Sequence, residues 1–226
     1  MLAEAAAGLG FSLSQSEVAV LERYREMLLA AQFNVIGYDA PEDVDRHLLV
    51  DALAAWRVLP RYGALSIVDL GTGGGVPGIP LAVTGPNHHY LLVDSREKKV
   101  TFVRACASAL GLDNVVAQAA RAEDLGRSDL HREQHDVVVA KGLAPLNVLL
   151  ELAVPLLKPD GRLLAWKGAR GEEEISAAAG ATRALAVEVE RVDGYDGAKL
   201  LVVVRRVGSL AKTYPRKPAL MQKKPL

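Results

Sequence analysis

Apolar positions along this chain follow two rhythms in succession. In the first sixty residues they recur at helical spacing. Val18, Leu21, Tyr24, Leu28 and Leu29 make one stripe, with Ser14 or Ser16 placed to cap it and Glu17 early in the helix. A second helix is predicted from Pro41 and Glu42, carrying Val44, Leu48, Leu49, Ala52, Leu53 and Trp56. Short apolar runs then alternate with amphipathic stretches. The runs Leu65–Leu70, Tyr90–Val93, Asn114–Ala119, Asp136–Ala140 and Arg162–Trp166 read as strands. Helices are predicted from Pro77, over Lys98–Leu110 with Gly111 as the stop, over Pro145–Leu157 and over Glu172–Leu185. Two last strands, Val187–Val192 and Leu200–Val204, flank the tight turn Asp193–Gly197.

Alternation of strand and helix predicts an α/β fold with a doubly wound, mostly parallel sheet. The closing pair leaves no room for a crossover helix and is predicted antiparallel at the sheet edge. Seven strands ending in such a hairpin resemble the class I methyltransferase fold. The chain divides into an N-terminal helical cap (1–60), a sheet-bearing domain (61–207) and a Pro- and Lys-rich tail (208–226), expected to be extended.

Composition adds limits. The chain has 226 residues, 50% of them hydrophobic, enough for a sizeable core. Cys106 is the single cysteine, which excludes an intrachain disulfide and suits a reducing, cytoplasmic setting. No apolar run reaches the length of a membrane span and no basic leader opens the chain, so no membrane partner is expected. Oligomeric state is open, with a monomer expected. Basic and acidic residues balance at 27 each, so overall charge names no partner. Charge placement says more: from Gly197 onward there are eight basic residues and no acid. On charge alone, that stretch suits RNA backbone contact or simple solubility equally.

The segment Asp69-Leu70-Gly71-Thr72-Gly73-Gly74-Gly75-Val76-Pro77-Gly78 carries the candidate chemistry. Glycines after a strand let backbone approach a ligand at the carboxyl edge of a parallel sheet. Asp94, at the end of the next strand, offers two oxygens to the hydroxyls of a ribose. A nicotinamide reading is disfavoured. Counted from Gly71, the G-x-G-x-x-G spacing fails at Val76; counted from Gly73 it fits, but well past the strand. Asp69 would repel a pyrophosphate and attract the cationic sulfonium and amino group of S-adenosylmethionine. Ala122 and Glu123 follow the third strand, where adenine would be read, although an acid-rich helix start explains them equally. Lys141 follows the fourth strand, where substrate and the methionine carboxylate would meet. Lys167 and Arg170, at the end of the fifth, would extend a basic surface, and Tyr214 could stack on a base. No nucleophilic triad, paired carboxylates or metal cluster is visible. His88, His89, His131 and His135 are expected to be structural or at the surface, leaving His47 as the histidine to test.

With these residues placed, the chain resembles the RsmG family, also called glucose-inhibited division protein B: guanine-N7 methyltransferases of bacterial small-subunit ribosomal RNA. The likeness rests on Asp69–Ala82 with its Val76-Pro77-Gly78-Ile79-Pro80 extension, on Leu92-Val93-Asp94-Ser95 with Lys98-Lys99, and on Arg121-Ala122-Glu123. Trp166-Lys167-Gly168, Tyr214-Pro215-Arg216 and Lys224-Pro225-Leu226 match as well, as does Arg46-His47-Leu48-Leu49. The resemblance implies S-adenosylmethionine as cofactor, with Gly71, Val76, Ala122 and Glu123 touching it; the reading of the strand ends adds Asp69, Gly73, Asp94 and Lys141 to the site. It implies ribosomal RNA or a ribosomal subunit as partner, for which charge placement offers Lys167, Arg170, Lys199, Tyr214, Arg216 and Lys217 as contacts. Three departures stand out. Lysine replaces the family's usual arginine at 141 and at 199, keeping charge but losing the planar fork. The acid or amide expected after His47 falls on Val50, with Asp51 one place later. Guanine N7 has a free lone pair, so no catalytic base is needed and the enzyme works by positioning. A methyltransferase of a small molecule or protein, and a non-catalytic RNA-binding protein of the same fold, are the alternatives.

Overall fold

The computed structural model describes residues 2–33 and 35–226. Helices α1 (Leu2–Gly8) and α2 (Gln15–Leu29) open the chain, and a broken helical stretch follows as α3 (Pro41–Val44), a π-turn (Asp45–Leu49), α4 (Val50–Ala52) and a 3-10 turn (Leu53–Arg57). Then come β1 (Ser66–Leu70), α5 (Gly78–Thr84), β2 (His89–Asp94), α6 (Glu97–Leu110), β3 (Val115–Ala119), α7 (Ala122–Leu125), β4 (His135–Lys141) and α8 (Leu146–Ala153). The chain continues through β5 (Leu157–Lys167), α9 (Gly171–Ala177), α10 (Ala179–Ala184), β6 (Val187–Tyr195), β7 (Lys199–Arg206) and α11 (Pro218–Lys223). One seven-stranded sheet results, in the order β3-β2-β1-β4-β5-β7-β6. The five strands from β3 to β5 run parallel, and β7 is antiparallel to both β5 and β6.

Local chemistry accounts for the element ends. Ser14 caps α2 in a reciprocal box: its hydroxyl accepts from the Glu17 amide at 3.2 Å and its own amide donates to Glu17 at 2.7 Å. Gly111 ends α6 in the left-handed conformation, φ 68°. Strands alternate their side chains between two cores. Ile67, Val137, Val139, Leu164 and Trp166 face the N-terminal helices, through Tyr24, Leu49 and Leu53. Val68, Leu70, Val138, Ala140 and Leu163 face α8 and α10, through Leu149, Leu150 and Ala181. The N-terminal helices therefore share one face of the sheet with α5 and α6, and through Tyr24 and Asp51 they reach its carboxyl edge.

Three expectations change. The helix predicted over Glu172–Leu185 is two, broken at Ala178. The second predicted helix contains a π-turn, in which the Val50 amide bonds the Asp45 carbonyl five residues back. The tail is not extended. It carries α11 and docks on the α8 face through the buried side chains of Leu210, Pro215 and Met221. Apolar residues within the tail explain why it folds back: they gain by burial against α8.

Candidate active site

The glycine turn is built to hold its backbone in one shape. Gly71 sits at φ 72°, a left-handed conformation that favours glycine, and an added Cβ would lie 2.6 Å from the Leu143 side chain, which would have to shift. The amides of Gly71 and Thr72 both donate to the Val93 carbonyl, at 2.8 and 2.9 Å. Asp69 lies beneath this turn, 1% exposed. One of its oxygens accepts from the Thr72 hydroxyl at 2.7 Å and the Gly78 amide at 2.9 Å. Burial pushes this carboxyl up to about 7, against those two hydrogen bonds. Asp69 thus braces the turn from below and does not reach the cleft, a correction to its expected place beside the sulfonium. The Tyr24 hydroxyl, from α2, donates to the Gly74 carbonyl at 2.7 Å and ties the cap to the turn.

Above the turn lies a cleft of about 580 Å³, lined by Gly71, Asp94, Ala122, Glu123, Gly142 and Leu143 among others. It sits beyond the carboxyl ends of β1, β2 and β4, where open parallel sheets bind ligands. Asp94 is fixed on its wall. Its two oxygens accept from the Gly73 amide at 3.1 Å and the Arg96 amide at 3.0 Å, and the Lys99 ammonium is 3.8 Å away. Gly71, Asp94, Ala122 and Glu123 therefore meet at one cleft. Gly73, Val76 and Lys141 do not line it: Gly73 orients Asp94, Val76 is packed in the core beneath, and the Lys141 ammonium turns to Asp51 and the His47 carbonyl.

Beside the cleft lies a charged cluster in which Asp51 joins Lys141 and Lys199; sequence reasoning singled out both lysines but missed their shared partner. Asp51 is 3% exposed, and its carboxylate takes both lysines, Lys141 on one oxygen and Lys199 on the other at 3.0 Å. The Tyr195 hydroxyl donates to the same carboxylate at 3.0 Å, and the Trp166 indole donates to the Asp51 carbonyl at 2.9 Å. Lys141 also donates to the His47 carbonyl. Lys199 reaches Asp196 at 3.0 Å, which in turn holds Arg46 at 2.7 Å. Hydrogen bonds from Arg46 and Lys199 hold Asp196 down at about 2. Burial pulls the Lys141 ammonium below the usual lysine range, with Asp51 opposing that pull. The His47 ring stacks on Tyr38, centroids 5.2 Å apart. Asp51 stands in α4, directly after the π-turn. The sequence signal was an acid inside the apolar run Leu48–Ala55, which calls for a cation.

Several expected RNA contacts are engaged elsewhere. Lys167 is 8% exposed and donates to the Ala144 carbonyl at 2.8 Å and to Glu174 at 2.7 Å. Arg216 closes on Glu151, itself 1% exposed, through two side-chain hydrogen bonds of 2.8 and 2.6 Å. Tyr214 is half-buried against the α8-side core. Exposed side chains remain at Arg170 and Lys217. His88 accepts from the Leu65 amide at 3.2 Å and His135 pairs with Ser66 at 2.8 Å, so both are structural. Among the described residues, no group of three or more His, Cys, Asp or Glu could hold a metal, and no helix is long and apolar enough to cross a membrane.

Solved structures share this architecture. A SAM-dependent methyltransferase from Aquifex aeolicus superposes with a TM-score of 0.59 at 18% identity, covering 75% of this chain and 95% of its own. TrmN from Thermus thermophilus gives 0.57 at 21% identity, over 81% of this chain and 53% of its own. The fold is that of the class I S-adenosylmethionine-dependent methyltransferases. Within that class, residues 17–202 match the family model for rRNA small subunit methyltransferase G, GidB. Relatives bearing the name ribosomal RNA small subunit methyltransferase G include one from Pelotomaculum thermopropionicum, 34% identical over 99% of this chain and 96% of its own. Another, from Deinococcus deserti, is 37% identical over 92% of this chain and 89% of its own. The chain belongs to this family, and its cofactor is S-adenosylmethionine. The cleft fits such a group: a backbone cradle turned on a left-handed glycine, a fixed carboxylate and nucleoside-sized space.

Proposed function

We propose that the chain methylates N7 of a guanine in small-subunit ribosomal RNA, in the cytoplasm. The observation that carries this reading is the cleft above Gly71 with the lysine cluster at its side, in a chain of this family. Asp94 would hold the ribose hydroxyls of the cofactor, and Gly71, Ala122 and Glu123 would line the rest of its site. When bound, the cofactor supplies a methyl group on a sulfonium, electrophilic enough for attack by a neutral nitrogen. Guanine N7 already carries its lone pair, so no residue needs to remove a proton. The work of this chain is to orient the base and exclude alternatives.

Lys141 is suited to that orientation. It ends β4, one residue before the cleft-lining Gly142 and Leu143. Guanine presents O6 beside N7 on the same edge. An ammonium donating to O6 leaves N7 free for the methyl group. Backbone contact falls to the exposed cations, Arg170 and Lys217 among them. The test is transfer from labelled S-adenosylmethionine to undermethylated small subunits and to naked small-subunit RNA, followed by nucleoside analysis. 7-Methylguanosine at one position supports the reading, and label in no RNA nucleoside contradicts it.

A further inference from the structure

Asp51 is the least exposed charge of the cluster beside the cleft, and no step of the methyl transfer uses it directly. Burying a carboxylate is costly unless its partners compensate, and here two ammonium groups and a phenol do so. The two lysines differ in what they have left. A lysine has three N–H donors. Lys199 spends its donors on Asp51 at 3.0 Å and Asp196 at 3.0 Å, with the His47 ring nitrogen at 3.4 Å. Lys141 spends two, on Asp51 and on the His47 carbonyl, and among the described residues the third has no acceptor. Its side chain is 21% exposed, so that donor has a way out. The His47 carbonyl, in the π-turn, and the Asp51 carboxylate, in the α4 that follows it, meet the same ammonium.

We propose that Asp51 is a positioning residue: with the His47 carbonyl it fixes the Lys141 ammonium so that one N–H is presented to the O6 of the target guanine. The inference rests on the placement of guanine against Lys141 given above. It assigns a role to the acid that stands one position late in the sequence. Asp51 also supports the charge of Lys141, which burial and Lys199 oppose. The charged and titratable groups around this ammonium are Asp51 from α4, Lys199 from β7, His47 from the π-turn, and Tyr195 and Asp196 from the β6–β7 hairpin. Removing the Asp51 charge leaves Lys141 with burial and Lys199 unopposed. Its proton is then lost at lower pH, and with it the donor to O6.

The experiment is the pH profile of kcat/KM for RNA, at saturating S-adenosylmethionine, for four forms of the full chain. Lys141→Gln should lower kcat/KM roughly 10- to 100-fold, the scale of a lost charged hydrogen bond. Asp51→Asn should bind the cofactor as the wild type does and shift the alkaline decline of the profile to lower pH. Adding Lys141→Arg to Asp51→Asn should restore the alkaline side, because a guanidinium stays protonated throughout. An alkaline decline unmoved in Asp51→Asn, or moved but not restored by arginine, overturns the role of Asp51 while leaving the guanine placement standing. Unchanged transfer by Lys141→Gln overturns the placement itself, and the inference with it. Should Asp51→Asn fail to fold, Lys141→Arg alone decides. It should hold its rate where the wild type declines, and coincident profiles contradict the proposal.

Discussion

Two buried carboxylates in this molecule each gather basic residues, and they come to opposite ends. Glu151, in the middle of α8, is closed on by Arg216 through a planar fork and by the Arg216 backbone amide at 2.8 Å. Asp51 is met by two lysines, each a point charge with rotatable donors, and one donor is left over. The first arrangement is a staple that fastens the C-terminal tail to the α8 face. The second is a charged cluster still able to bind something. The difference lies in the partner and its remaining valence, not in the acid or in the density of basic residues. By sequence density the tail looks the more promising RNA surface, yet its Arg216 is committed inward.

That contrast can be broken directly. Arg216→Ala should leave Glu151 buried and unpaired and lower stability by roughly 3 kcal/mol, read in a urea or thermal melt. A variant as stable as the wild type would return Arg216 to the list of free RNA contacts. A second pair of acids sharpens the same lesson at the cofactor cleft. Asp94→Ala, which removes a carboxylate from the cleft wall, should weaken S-adenosylmethionine binding by roughly 1–3 kcal/mol in calorimetry. Asp69→Asn, under the turn, should change that affinity far less.

The mark of Asp69 should be on stability against pH. Its carboxyl is raised from 3.8 to about 7 in the folded chain, so the folded state holds its proton where the unfolded state has lost it. Its contribution is therefore favourable on the acid side and declines as pH rises from about 4 to about 7. Asp69→Asn should flatten that part of the stability profile. An unaltered slope would mean that Asp69 is ionised in its buried place.

Much of this was legible along the chain. Alternating runs gave the sheet and its terminal hairpin, Ser14 and Gly111 punctuated their helices, and the Asp69–Gly78 segment located the cleft. These are local signals, each carried by neighbours within a few residues. What was not legible depends on partners far apart in sequence. Glu151 and Arg216 are 65 residues apart, and Asp51 and Lys141 are 90. Each cluster left only half a signal, an acid set in an apolar run. The π-turn hid the second further, since a helix of regular pitch gives no hint of where Asp51 points. Asp69 shows the reverse limit: its position beside the glycines was read correctly, but its direction is decided by Thr72 and Gly78, which take the carboxylate downward.

The central claim is that the substrate-facing cations lie at the sheet edge beside the cleft, not along the tail. Single-turnover methyl transfer at saturating RNA tests it, comparing Lys141→Gln with a variant carrying glutamine at Lys212, Lys217, Lys223 and Lys224 together. The tail variant should transfer its methyl group at close to the wild-type rate once RNA is saturating, while Lys141→Gln should stay slow at any RNA concentration. A slow tail variant beside an unimpaired Lys141→Gln would contradict the account.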